Sequence, residues 1–352
     1  MNSKKFIVYA SDLNSYTGEG TLAREFIKKI FSNNKFSSIK IITPNQNFFF
    51  NGNYKDVNNK NQKSIYHKYL IPIIGAFKLR YTDNNIKTVY VNYLPLWNCL
   101  LFLILPKRTL LGPITGSNEK YKVKNVNFFI RRFIFPVLYK ISLIIINKKF
   151  KKIIFSTDLL QDFVKKNVDK KYTKNYLFNF VYDFFINDLK KIFKKKYKKK
   201  NYILFYNKNH ITKINKDLIF FIRKISKKYR IVIVGDKLNY KNLINLGYVN
   251  KKKIKSVQKK TKILISSNEN LLSLFNIESI NNGVYVIYNQ SSFKKNFRLR
   301  SPFLKVNYKD FTLPLFDYLI KNNKQFKIDN NFLNKIKKQK NKINLFFNRF
   351  VL

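Results

Sequence analysis

The sequence predicts an α/β fold in which parallel strands are covered by helices, arranged as two domains. Short apolar runs of β type alternate with longer helix-type segments along the whole chain, the pattern of parallel strands joined by helical crossovers. That alternation occurs twice, on either side of a lysine-rich run near residue 195. A chain of 352 residues with 45% hydrophobic and 17% aromatic side chains is long enough for two cores and too apolar for a disordered tail.

In the first series, strands are expected at residues 5–11, 38–43, 88–92, 108–111, 152–155 and 176–180, each a short run rich in β-branched and aromatic side chains. Helices are expected between them, notably at 21–31 and 126–146. Residues 45–63 are polar and Asn-rich, and read as a long surface loop. In the second series, strands are expected at 202–206, 230–235, 261–266 and 284–288, with helices at 215–227, 251–259, 272–282 and 311–321. Residues 331–352 are helical in pattern and too polar to form a core alone. No repeat of fixed short period is found. The domains are therefore placed at residues 1–190 and 191–330, followed by a C-terminal helix at 331–352.

With 71 Lys plus Arg against 18 Asp plus Glu, the formal net charge is +53, which repels itself and attracts polyanions. Charge alone favours a nucleic-acid partner. Against it, the basic residues are spread over the chain, and no zinc-finger pattern, aromatic-rich RNA-binding strand or localised basic arm is present. The abundant Lys, Asn, Ile, Phe and Tyr are also the residues written by A/T-rich codons. The densest run holds Lys194, Lys195, Lys196, Lys198, Lys199 and Lys200 around Tyr197. It reads equally as a solvated interdomain linker or as a contact for an anionic membrane surface. One cysteine, Cys99, and two histidines, His67 and His210, leave no disulfide framework and no cluster for a zinc ion. No run reaches the roughly 18 apolar residues of a spanning helix.

Nine glycines in the whole chain mark places where a side chain or a negative φ does not fit. Gly18 and Gly20 follow the first strand and open its helix, where backbone amides can face a phosphate or a sugar. The alternative is a tight turn that binds nothing, and the third glycine of the dinucleotide fingerprint is missing. Glutamate is scarcer: Glu19, Glu25, Glu119, Glu269 and Glu278 are the full set. Glu25 and Glu119 read as charge partners for lysines. Glu269 and Glu278 follow the carboxyl end of a strand, where open α/β sheets bind ligands.

The second half carries a specific pattern. Ile231-Val232-Ile233-Val234-Gly235-Asp236 is followed by Leu246-Gly247-Tyr248-Val249, then Ile263-Leu264-Ile265-Ser266-Ser267-Asn268-Glu269, then Ile277-Glu278-Ser279-Ile280-Asn281-Asn282-Gly283-Val284-Tyr285-Val286-Ile287. This order and spacing resemble the family 4 retaining glycosyltransferases of the GT-B fold, most closely over residues 230–290. The resemblance implies two Rossmann-like domains facing across a cleft, the first on the acceptor side and the second on the side of the nucleotide-sugar donor. The C-terminal segment would then be the helix that crosses back to the first domain.

Residue by residue, the family's second glutamate falls on Glu278, implying a contact to the donor ribose. Counting back from it places the first glutamate's site on Asn270, with Glu269 one residue early, so the sugar-holding role goes to Glu269 or Asn270. Ser273 stands where the family has glycine, Leu274 follows it at the donor side, and Tyr285 replaces proline. Lys208 and Lys213 fall on the cations that hold the donor phosphates, with Lys216 a rival to Lys213. Such cations stabilise the charge that develops on a departing diphosphate. Gly18, Glu19 and Gly20 fall on the glycine-rich loop beside the donor, while the run from Leu111 to Ser117 lacks the histidine many members carry.

The function implied is transfer of a sugar, with retained anomeric configuration, from a nucleotide-diphosphate donor to a saccharide or lipid-linked acceptor in bacterial cell-envelope polysaccharide or lipopolysaccharide synthesis. No cofactor is implied beyond the donor substrate. No Asp-x-Asp triplet is present, in keeping with a metal-independent reaction. The donor would be met in the cytoplasm, with peripheral association at the inner face of the membrane left open by Phe128, Phe129, Arg131, Arg132, Phe133 and Phe135. That stretch reads alternatively as an interior helix with two exposed arginines. The alternatives to catalysis are a nucleic-acid-binding protein, or a GT-B protein that binds sugar nucleotides without turnover.

Overall fold

The computed structural model describes residues 6–11, 13, 18–34, 38–52, 65–91, 94–117, 126–194, 202–208, 216–267, 270–289, 301–310, 312–321 and 328–351. The chain divides into two compact units: Met1–Phe180 with Asn341–Leu352, and Val181–Lys340.

The first unit contains β1 (Phe6–Ala10), α1 (Gly18–Asn34), β2 (Ile39–Ile42), β3 (Asn47–Phe50), α2 (Ile65–Arg80), β4 (Lys87–Val91), α3 (Cys99–Ile104), β5 (Thr109–Leu111), α4 (Val126–Phe129), a π-helical turn (Ile130–Ile134), α5 (Phe135–Lys149), β6 (Ile153–Ile154), α6 (Gln161–Asn167), α7 (Lys170–Thr173) and β7 (Tyr176–Leu177). Its main sheet has the order β3-β2-β1-β4-β5. Every residue of β1 is buried, which is why that strand reads as an unbroken apolar run: helices cover both faces of the sheet. The register runs Phe6 to Lys87 and Ala10 to Val91 between β1 and β4.

Two expectations are corrected here. Within residues 45–63, Asn47–Phe50 is an antiparallel edge strand on β2, with Phe50 buried and a turn closed by the Thr43 amide donating to the Gln46 carbonyl at 2.9 Å. Asparagine content marked the flanks and hid the three phenylalanines; residues 53–63 lie outside the described residues. The helix expected over 126–146 is interrupted by the π-helical turn. Pro136 stands at the start of α5 with no N–H to give, so the preceding turn widens. Helix α2 is one of the helices expected between the strands, and its bounds are obscured in the sequence by Pro72 and Gly75. Gly75 is required there because a Cβ would lie 1.9 Å from the Tyr9 ring, which stacks on Tyr90 with centroids 5.6 Å apart.

The second unit contains α8 (Leu189–Lys194), β8 (Tyr202–Asn207), α9 (Lys216–Ser226), β9 (Ile231–Gly235), β10 (Leu243–Asn245), α10 (Lys251–Lys260), β11 (Thr261–Ile265), α11 (Leu274–Asn281), β12 (Tyr285–Asn289), β13 (Phe303–Val306), α12 (Leu313–Lys321) and the first half of α13 (Asn330–Val351). All six strands are parallel in the order β10-β9-β8-β11-β12-β13. Counted from β8, this is the Rossmann order 3-2-1-4-5-6, whose direction of winding reverses between β8 and β11. The strands β10 and β13 were not anticipated; β10 is three residues at the sheet edge with two exposed. Helix α9 buries Leu218, Phe221, Ile222 and Ile225 against the sheet, and Phe221 stacks on Tyr308 at 4.3 Å.

Helix α13 buries Phe332 and Ile336 in the second unit, where Phe332 meets Phe185 and Phe303. Its last residues count with the first unit, where Phe347 packs on Phe26 and Phe180. Among the described residues no helix is long and apolar enough to cross a membrane.

Candidate functional site

In a doubly wound sheet, the two crossovers leaving adjacent strands in opposite directions open a crevice at the strands' carboxyl ends. In the second unit this falls at the ends of β8 and β11. The chain delivers Asn207 and Lys208 there from β8, Gly235 and Asp236 from β9, and Ser266 from β11. Gly235 has φ +102° and its missing Cβ would lie 2.0 Å from the Asn207 carbonyl oxygen, so only glycine lets the two strand ends close up. The Asp236 amide donates to that carbonyl at 2.9 Å, and the Asn207 Nδ2 donates back to the Asp236 carbonyl at 2.8 Å.

This double link fixes Asn207, which is buried, while its Oδ1 has no hydrogen-bond partner among the described residues. At the end of β12, the buried Nδ2 of Asn289 is likewise without one. Both atoms lie at the carboxyl edge of the sheet. Beside them, Tyr206 stacks on Phe275 at 4.8 Å, and the Tyr248 hydroxyl donates to the Asp236 carboxylate at 2.8 Å. That bond, with some desolvation, pushes the Tyr248 hydroxyl pKa up to about 12. Burial, then the Asp236 charge, raises that of Tyr206. The edge thus presents an aromatic platform, a carboxylate, and the exposed ammonium of Lys208.

Glu278 lies on α11 and turns toward a groove of ≈ 470 Å³ between α8, α10 and α11. Its carboxylate is 3.0 Å from the ammonium of Lys251, the first residue of α10. Lys251, Lys255 and Lys259 recur every four residues and line the groove from one side of α10, so one carboxylate stands among three cations. Helix α10 is capped by Asn250, which accepts from the Lys253 amide at 2.9 Å.

Asn270 and Ser273 have local work in the structure. Asn270 Oδ1 accepts from the Leu272 amide at 3.0 Å, and Ser273 caps α11 by accepting from the Asn276 amide at 3.3 Å. Together they form the turn that sinks Leu271 and Leu272 into the core and starts α11 at Leu274. Lys216 is the exposed first residue of α9. Glu269 and Lys213 lie outside the described residues. In the first unit, Gly18, Glu19 and Gly20 form the first turn of α1, whose amino end carries the positive pole that Glu19 complements. Glu25 is paired with Lys28 at 3.4 Å, as a charge partner. The pairs Tyr206–Phe275 and Asp236–Tyr248 were not anticipated as contacts. Asp236 and Tyr248 were visible only as members of two separate motifs. Among the described residues no three His, Cys, Asp or Glu side chains come together to hold a metal ion.

This architecture, two Rossmann-like domains in one chain, is the GT-B fold. HepE from Anabaena, whose crystal structure contains UDP and glucose, shares it: the two superpose with a TM-score of 0.54 at 8% sequence identity, over 98% of this chain and 97% of that one. The E. coli heptosyltransferase WaaC with ADP-2-deoxy-2-fluoro heptose aligns over 91% and 99% of the two chains at 8% identity, and the glycosyltransferase of kitacinnamycin over 100% and 98% at 8% identity. Their TM-scores of 0.35 and 0.41 are too low to bear on the fold. No family model and no curated protein matches the chain.

Proposed function

We propose that the chain is a glycosyltransferase of the family 4 type, moving a sugar from a nucleotide-diphosphate donor to a saccharide or lipid-linked acceptor with retention, in cell-envelope polysaccharide synthesis. The observation that carries it is the carboxyl edge of the second unit's sheet, where Asn207 Oδ1, without a partner among the described residues, the Asp236–Tyr248 pair and the Tyr206–Phe275 stack lie at the switch point. A nucleotide has the matching chemistry: a flat base for an aromatic face and a diphosphate for an ammonium. HepE, which shares the fold, was crystallised with a nucleotide and a sugar.

On this reading Glu278, now paired with Lys251 at 3.0 Å, accepts hydrogen bonds from the ribose hydroxyls. Lys208, with Lys213 or Lys216, faces the diphosphate. As the bond from the anomeric carbon to the donor phosphate breaks, negative charge collects on the diphosphate, and ammonium groups fixed in advance stabilise that charge most. Cations supply the electrostatic work without a metal ion, and Glu269 or Asn270 holds the sugar. A second reading, donor binding without turnover, is favoured by the Asn270 side chain, whose oxygen is taken up by the Leu272 amide.

A thermal-shift titration with UDP, GDP, ADP and their sugars tests the donor assignment. One nucleotide diphosphate is expected to stabilise the chain saturably, by roughly 2.7 kcal/mol at about a hundredfold over its Kd, and Glu278→Ala to remove the effect. Equal small shifts from every polyanion, indifferent to Glu278→Ala, would sink it. NMR of the product's anomeric proton then reads retention, and hydrolysis-free, product-free binding would select the second reading.

A further inference from the structure

Three helices of the first unit are apolar on both sides. Helices α2 and α3 lie on one face of the sheet, where their inner residues share a core with Tyr9 and Tyr90. Helix α3 packs against both α2 and α5. Inward, Ala76 and Leu79 of α2, Leu101 and Phe102 of α3, and Leu143 and Ile146 of α5 share one core with the strands. That accounts for one stripe of each helix.

The outward stripes are largely apolar as well, broken by the exposed Lys78 on α2 and Lys140 on α5. On α2 they carry Leu70, Ile74 and Phe77, at helical spacing; on α3, Leu100 and Leu103. On α5 they carry Val137, Ile141 and Ile144. All eight are between 41% and 58% exposed, and the next turn adds Phe129 and Phe133, in contact with each other at 5.0 Å. A surface helix of a water-facing domain keeps its outer stripe polar; one that is apolar all round is covered by a second apolar phase.

The rim of this face is cationic. Lys149 donates from Nζ to the carbonyls of Phe102, at 3.1 Å, and Leu103, so its ammonium sits at the carboxyl end of α3. Arg80 ends α2 and Lys107 follows α3. Burial, then the charges of Arg80 and Lys107, hold the Lys149 pKa below the ordinary lysine value, so the three cations crowd one another. Cations gathered beside an exposed apolar surface match a layer of lipid phosphates over an acyl interior.

We propose that the outer face of α2, α3 and α5 docks on an anionic lipid bilayer, its apolar stripes in the acyl boundary and Arg80, Lys107 and Lys149 on the lipid phosphates. A second copy of the chain is the poorer occupant, because pairing this face on itself brings two like clusters and two chains of net charge +53 together. The proposal is independent of the glycosyltransferase reading.

The test is co-sedimentation of the full chain with phosphatidylglycerol–phosphatidylcholine vesicles and with pure phosphatidylcholine vesicles, at about 0.15 M salt. Because a chain this basic adheres diffusely to anionic surfaces, two charge-neutralising variants are compared. Arg80→Gln/Lys107→Gln is expected to weaken binding to the anionic vesicles about tenfold, and Lys337→Gln/Lys338→Gln, exposed on α13, to weaken it less than about twofold. Leu103→Asp/Ile144→Asp, outward positions that spare the core, is expected to cost at least as much as the first pair. A polarity-sensitive dye on Ile144→Cys in a Cys99→Ser background should shift to the blue on anionic vesicles. Equal losses from the two charge pairs with no effect of Leu103→Asp/Ile144→Asp would overturn the proposal, as would a dye that stays in water. Dimerisation that Leu103→Asp/Ile144→Asp abolishes, without vesicle binding, would assign the face to a second copy.

Discussion

Gly75 and Gly235 are glycines for different reasons, and substitution separates them. At Gly75 the obstacle is the Tyr9 ring, held by its stack on Tyr90 and by its hydroxyl, which donates to the Ile71 carbonyl at 3.1 Å. Gly75→Ala is therefore expected to overpack the core and cost about 1–3 kcal/mol in urea unfolding. At Gly235 the obstacle is backbone, the Asn207 carbonyl, and φ is positive as well. Gly235→Ala should cost at least as much and also abolish nucleotide-dependent stabilisation, because the strand ends that carry Lys208 and Asp236 are pushed apart. Tyr248→Phe is the milder probe. It removes an exposed hydroxyl from Asp236, so stability should change by less than about 0.5 kcal/mol while donor affinity moves; unchanged affinity would take Asp236 and Tyr248 out of the site.

At the scale of elements, a single carboxylate ties α12 to the end of α9. Asp317 accepts from the Lys228 ammonium and the Tyr229 hydroxyl, and these two bonds, Lys228 first, hold its carboxyl below the ordinary 3.8. A carboxyl whose pKa is lowered in the folded state stabilises fully above its unfolded value and loses that contribution as pH falls through the lowered one. Asp317→Asn should therefore lower Tm near neutral pH, with the difference from the unsubstituted chain closing below about pH 3.8. Helix α11 depends on its cap: Ser273→Ala is expected to cost about 1 kcal/mol, whether or not Ser273 also meets the donor. The interrupted helix 126–149 shows the limit of periodicity, since apolar spacing continues through Pro136 although its missing N–H widens the turn before it.

For the whole molecule, the net charge of +53 sets the conditions of every assay. Self-repulsion disfavours the compact state, and salt screens it, so Tm should rise between about 0.02 and about 0.3 M salt. A Tm that falls with salt would mean that the ion pairs outweigh the repulsion. The same charge makes vesicle and nucleotide binding informative only near physiological ionic strength, where diffuse attraction is weakened and contacts with particular lysines persist.

Most of the strands and helices of both sheets were legible in the residues, because parallel strands buried on both faces must be apolar runs and their covering helices must show an apolar stripe. The GT-B architecture was legible too, from the Gly235-Asp236, Leu246-Gly247-Tyr248-Val249 and Glu278 to Gly283 spacing. The short edges β3, β10 and β13 were not: Phe48–Phe50 and Phe303–Val306 are apolar but hidden by polar flanks, while β10, held by one neighbour, needs little apolar sequence. Tertiary structure alone decided which of the scarce residues meet: that Glu278 faces Lys251, that Tyr248 reaches Asp236 across twelve residues, and that Asn207 is pinned with its oxygen unpaired among the described residues. It also decided that α2, α3 and α5 keep apolar stripes outside. A sequence records how apolar each residue is, but which side of a helix meets the core depends on neighbours brought in from elsewhere in the chain.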